Sequence, residues 1–138
     1  MRSNNPYADN FQSGGYFFNA LNRDITAVRG DTVSFNFQVQ GLEGELPEDA
    51  GDLVLTCKET PEDETALFEI VLGNGILEEE YDTENDVVTY SVRIAPELTE
   101  DLDLGRYYYN LRLKTNGDVI TLLRGRFELV YDIKEEDV

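Results

Sequence analysis

Carboxylates are the groups in this chain most capable of chemistry: 29 of its 138 residues are Asp or Glu, against 11 Lys or Arg. The densest run, Glu78-Glu79-Glu80-Tyr81-Asp82-Thr83-Glu84-Asn85-Asp86, offers hard oxygen donors of the kind calcium takes. Asp82, Glu84 and Asp86 have the 1, 3, 5 spacing of an EF-hand loop, but Val87 stands where that loop needs Gly and Arg93 where position 12 needs a bidentate Glu. The EF-hand is therefore excluded, and the run reads as a solvated acidic hairpin, with a calcium loop of another kind as the competing reading. Glycoside hydrolysis needs two carboxylates set across a sugar-binding cleft, and nothing in the sequence singles out such a pair.

Other chemistries lack their reagents. The chain has no histidine, so a Ser or Thr nucleophile has no imidazole base and a Cys-His pair cannot form. One cysteine and no histidine leave zinc without its usual ligands, and no Gly-rich loop ends in Lys-Ser or Lys-Thr to hold phosphate. Cys57 alternates with Leu53 and Leu55 on an apolar strand face and reads as an inert core thiol. Arg29-Gly30-Asp31 is the tripeptide that integrin receptors bind, but Gly-Asp is also favoured chemistry for a tight turn between strands, and the turn is the expected role. No catalytic residue, metal or cofactor is expected, and the chain is read as a non-enzyme.

The formal net charge of −18 disfavours contact with nucleic acid and with anionic membrane. A 41% hydrophobic fraction with 8 Tyr and 7 Phe is too rich for a disordered acidic chain, so the charge coats a folded body. No apolar run approaches the roughly 20 residues of a membrane span, and no signal-like segment opens the sequence. Synthesis in a reducing cytoplasm is the expectation.

These residues must be held by strands. Val33, Phe35, Phe37 and Val39 alternate with polar residues, as do Val88, Tyr90, Val92 and Ile94, and Tyr107, Tyr109, Leu111 and Leu113. Leu53–Lys58 and the run from Ala66 to Leu72 add two more strands, Gly73-Asn74-Gly75 turns the chain, and Asn116-Gly117 predicts a closing hairpin. In the last strand Ile120 and Leu122 share one phase while Phe127, Leu129 and Tyr131 share the other, so a bulge is expected, with Gly125 as its marker. Residues 41–52 read as a solvated loop, and Pro96 opens at most a single helical turn. The expected fold is all-β: an antiparallel β-sandwich of about seven strands over residues 25–133, after an extended arm at 1–24 and before an acidic tail at 134–138. Five aromatics in the arm, Tyr7, Phe11, Tyr16, Phe17 and Phe18, predict docking on a neighbouring subunit.

Two resemblances sharpen this. Asp103-Leu104-Gly105-Arg106-Tyr107 resembles the start of the sixth strand of immunoglobulin-like domains, which implies a tyrosine corner at Tyr107. Tyr109 occupies the place of the disulfide cysteine, and the chain has no Trp, so it departs from antibody-type domains. More broadly, "ITAVRGDTVSFNFQV" together with "LGRYYYNLRLKTNGDVITLLRGRFELV" resembles small β-sandwich domains of tailed-bacteriophage virions, such as the N-terminal domain of the baseplate upper protein. The resemblance implies a noncatalytic structural protein of tail, baseplate or capsid periphery, present in several copies, bound to other virion subunits, and located in the virion after synthesis in a bacterial host. The alternative is a carbohydrate-binding or cell-adhesion module in which Tyr108, on the outer face of its strand, stacks on sugar rings.

Overall fold

Alternating β-branched, aromatic and polar residues form the strands, and Gly, Asn and Asp break them. The computed structural model describes residues 21–44, 46–115 and 117–131, with Leu21 described by its backbone alone. Its strands are β1 (Leu21–Asn22), β2 (Ile25–Val28), β3 (Val33–Gln40), β4 (Leu53–Lys58), β5 (Phe68–Leu72), β6 (Gly75–Asp82), β7 (Val87–Ile94), β8 (Gly105–Thr115) and β9 (Asp118–Val130). Ala50–Asp52 and Pro96–Leu98 each make one turn of 3-10 helix, and no longer helix occurs among the described residues. The arm residues Tyr7, Phe11, Tyr16, Phe17 and Phe18, and the tail at 134–138, lie outside the described residues.

The fold is all-β. Its strands join in one sheet of order β1-β9-β8-β4-β5-β6-β7-β3, with β2 also on β9, and the sheet curls nearly closed, closer to a barrel than to two separate layers. The pattern predicts about seven antiparallel strands; among the described residues nine form, and three of their pairings are parallel. One parallel pairing is local. Gly73-Asn74 loops the chain so tightly that it resumes in the same direction with Gly75 and Ile76 beside Val71 and Leu72, and a Cβ at Gly75 would overlap Ile70 Cγ2. The other two run β1 and β2 alongside the second half of β9, so sheet pairing is already present at Leu21, ahead of Ile25.

Inward residues of every long strand merge into one core, including Val39, Leu55, Ile76, Val92, Leu111 and Phe127. Fully burying each such side chain is worth about 1.5–3 kcal/mol. Phe37 stacks on Tyr90 at 5.2 Å between centroids, and Phe68 meets Phe127 edge to face at 6.1 Å. The 41–52 loop is largely exposed, as its composition predicts, but part of it plugs into the core: Leu42 is 2% exposed and Pro47 is also buried.

The bulge lies at Leu122, not at Gly125. Leu111 pairs with Leu123 and Arg112 with Thr121, so Leu122 is the extra residue, and both Leu122 and Leu123 turn inward. Gly125 has a different task. The chain crosses from β1 to β2 directly over it, and a Cβ there would overlap the Arg23 carbonyl oxygen and stand 2.9 Å from Asp24 Oδ1. Two hydrogen bonds clamp the crossing: Tyr109 Oη donates to the Arg23 carbonyl at 2.5 Å, and the Arg126 N–H donates to Asp24 Oδ1 at 2.9 Å.

Candidate functional site

The Arg29-Gly30-Asp31 turn is built into the fold. Gly30 has φ 85°, the left-handed conformation glycine adopts most easily, and the Asp31 N–H donates to the Val28 carbonyl at 3.0 Å. Arg29 Nη1 donates to the Leu102 carbonyl at 3.0 Å, and the Gly30 N–H donates to Oγ1 of buried Thr99 at 3.0 Å. The tripeptide thus fastens the β2–β3 turn to the connection between β7 and β8. That connection has a second fastening, since Tyr107 Oη donates to the Asp103 carbonyl at 2.6 Å. Burial, then the Asp103 carboxylate, raises the Tyr107 pKa, so the hydroxyl keeps its proton and its donor role.

In the acidic hairpin the carboxylates cap the backbone. Asp82 accepts from the Glu84 and Asn85 N–H groups at 3.1 and 3.2 Å and from Asn85 Nδ2 at 2.8 Å; this hydrogen bonding, led by the Asn85 side chain, lowers its pKa. Asp86, at φ 55°, accepts from Tyr81 Oη at 3.0 Å and from the Glu43 N–H at 2.7 Å, tying the hairpin to the 41–47 plug. No group of three or more His, Cys, Asp or Glu among the described residues is arranged to hold a metal ion. Cys57 is 0% exposed, and burial pushes its thiol up to about 12, far from a reactive thiolate.

Tyr108 leads to a feature that only cross-strand register assembles. It sits in an open groove of about 700 Å³ across the outer face of β4, β8 and β9, roofed at one side by Asn22 and Asp24. Register explains the lining: Lys58 lies opposite Tyr108, Tyr108 opposite Arg126, Asn110 opposite Arg124, and Arg112 opposite Thr121. Four cations therefore share one face of a chain with net charge −18, and Asp24 is the single carboxylate of the lining. Asp24 is already engaged by the Arg126 N–H, Arg124 Nε donates to Asn22 Oδ1 at 3.1 Å, and Lys58 Nζ donates to the Asp63 carbonyl at 2.6 Å. The side chains of Arg112, Arg124 and Arg126 are exposed. The sequence signal was present in the even positions of β8 (Arg106, Tyr108, Asn110, Arg112, Lys114) and in Arg124 and Arg126 of β9.

Lys58, Arg112, Arg124 and Arg126 make this groove complementary in charge to an anionic surface. A second hollow of about 360 Å³, between the 46–52 segment and the β8–β9 hairpin, contains Asp49, Asp52 and Asp118; Asp52 Oδ2 is occupied by the Glu48 and Asp49 N–H groups, both at 3.1 Å.

No protein-family model matches the chain, and no curated protein matches it. Among solved structures 21 chains match. One is a family 123 glycoside hydrolase from Clostridium perfringens, described in connection with glycolipid glycan hydrolysis, with 12% identity and a TM-score of 0.41. The match covers 84% of this chain and 24% of the hydrolase chain, so this chain spans about a quarter of that protein's length. At that level the likeness carries no argument about activity.

Proposed function

We propose that this chain is a noncatalytic structural subunit of a tailed-bacteriophage virion, in the tail, baseplate or capsid periphery, acting through protein–protein contacts. The observation that carries this reading is the character of the β4-β8-β9 groove: an open, Arg- and Tyr-rich sheet face, the composition of a protein interface rather than of a reaction cleft. The strand order supports an immunoglobulin-like interpretation. If the short β5–β6 pairing is taken as a corner, β3-β7-β6 forms one layer and β1/β2-β9-β8-β4-β5 the other, with Tyr107 bonded at the corner preceding β8. The phage resemblance of residues 25–131 gives this architecture its setting.

The test is genetic. Deleting the reading frame from the phage or prophage that encodes it is expected to give incomplete or poorly infectious particles, rescued in trans by the full chain but not by a chain starting at Leu21, which keeps β1 and the crossing over Gly125. Normal particle yield and infectivity after deletion would refute the virion role, and full rescue by the shortened chain would refute the role of Tyr7, Phe11, Tyr16, Phe17 and Phe18. Half-buried Tyr108, beside Asn110 and Thr56 in the groove, favours a second reading as a carbohydrate-binding module. Saturable glycan-array binding that is lost in Tyr108→Ala would support that reading over the first.

A further inference from the structure

The groove and the acidic hairpin have opposite charge and occupy separate parts of the sheet, β4-β8-β9 against β6-β7. The hairpin end is as specialised as the groove. Leu77 is 53% exposed, and the exposed Glu78, Glu79, Glu80 and Glu84 follow it. The β6 register slips between Glu78 and Glu80, which leaves Glu79 as the extra residue and sets three successive glutamates on the solvent side. In the groove, half-buried Tyr108 lies among Lys58, Arg112, Arg124 and Arg126. An exposed leucine among carboxylates thus matches a tyrosine among cationic side chains.

We infer that the β4-β8-β9 groove is the docking site for the acidic β6–β7 hairpin of a second copy of this chain. Leu77 of one copy packs on Tyr108 of the next, and the glutamates face the arginines. Arginine suits this role because its planar fork meets carboxylates bidentately. The inference goes beyond the virion reading and does not depend on it, since it rests on the two surfaces alone. Because the donor and acceptor surfaces differ, the contact is head to tail. It propagates from copy to copy and closes only if the rotation between neighbours completes a ring. Two copies this acidic repel at a distance, so the contact forms only where the complementary patches meet.

Sedimentation velocity of the purified full chain, over a concentration series, tests it. The wild type is expected to show a weight-average mass that rises with concentration. Arg124→Glu combined with Arg126→Glu, and separately Glu78→Lys combined with Glu80→Lys and Glu84→Lys, are each expected to weaken self-association at least about tenfold. All five positions are exposed, and circular dichroism checks that both variants remain folded. Mixing the two variants is expected to restore association, because the reversed face of one now complements the reversed hairpin of the other. A wild type that stays monomeric at millimolar concentration, variants that associate as the wild type does, or a mixture that fails to associate would each overturn the inference.

Discussion

Gly125→Ala puts one methyl group where the β1–β2 crossing lies against β9. Gly125 does not have a positive φ, so the backbone itself accepts alanine and the effect comes from contact alone. The added Cβ overlaps the Arg23 carbonyl oxygen and stands 2.9 Å from Asp24 Oδ1, so the crossing must retreat by about 1 Å to reach ordinary van der Waals separation. Retreat takes the acceptor away from the hydroxyl of Tyr109, a residue only 5% exposed, and loosens the bond from the Arg126 N–H. Overpacking costs about 1–3 kcal/mol and an orphaned buried donor about 1–3 kcal/mol; the two overlap, giving a destabilisation of about 2–5 kcal/mol. For a domain of this size the melting temperature falls by roughly 10–25 °C. Urea unfolding followed by tyrosine fluorescence measures it, since the chain has 8 Tyr and no Trp. Gly51→Ala is the control: its Cβ meets nothing within 4 Å, and its expected effect is within about 0.5 kcal/mol of zero. If Gly125→Ala and Gly51→Ala prove equally stable, the crossing is not held as described.

Other perturbations test the remaining fastenings. Burial pushes Cys57 from 9.0 and Tyr109 from 10.0 up to about 12, and raises Tyr90 as well. Below their unfolded values these groups are protonated in both states and stability is full. Above them the unfolded chain releases protons that the fold retains, so stability falls by up to roughly 1.4 kcal/mol per pH unit per group until the folded value is passed. Urea midpoints are therefore expected to be flat from neutral pH to about 9 and to drop steeply between about 10 and 12; a flat profile through 11 would contradict these burials. Tyr107→Phe removes the hydroxyl bonded to the Asp103 carbonyl and is expected to cost about 1–2 kcal/mol in the same assay. Cys57 is expected to resist thiol reagents in the native state, with labelling that speeds up only as denaturant opens the fold; rapid native-state labelling would contradict its placement in the core.

Local alternation made β3, β4, β7 and β8 legible, because period-2 patterning states directly which face is buried. What escaped the sequence depends on partners far away in the chain. The parallel pairing of β1 and β2 with β9 joins residues about a hundred positions apart and leaves no local periodicity behind. Gly125 was legible as a special position but not as a close approach, because the backbone that crosses it comes from Arg23 and Asp24. The true bulge at Leu122 is marked by two successive inward leucines, which as sequence look like an ordinary apolar run. β6 was only partly legible: the acidic run reads as a solvated hairpin, and the backbones of Glu78, Glu79 and Glu80 pair with or bulge from β7 while the side chains stay in solvent. The cationic groove was least legible. Its charges are ordinary outward residues on three strands, and only cross-strand register gathers Lys58, Arg112, Arg124 and Arg126 around Tyr108.

Quantitative mass spectrometry of density-gradient-purified particles from the strain that encodes this chain tests the proposed virion role most directly. The account predicts that the full chain sediments with infectious particles in a fixed, multiple copy number relative to the major capsid protein and survives a high-salt wash. Particles that are infectious yet lack the chain, with all of it left in the soluble lysate, would contradict that role.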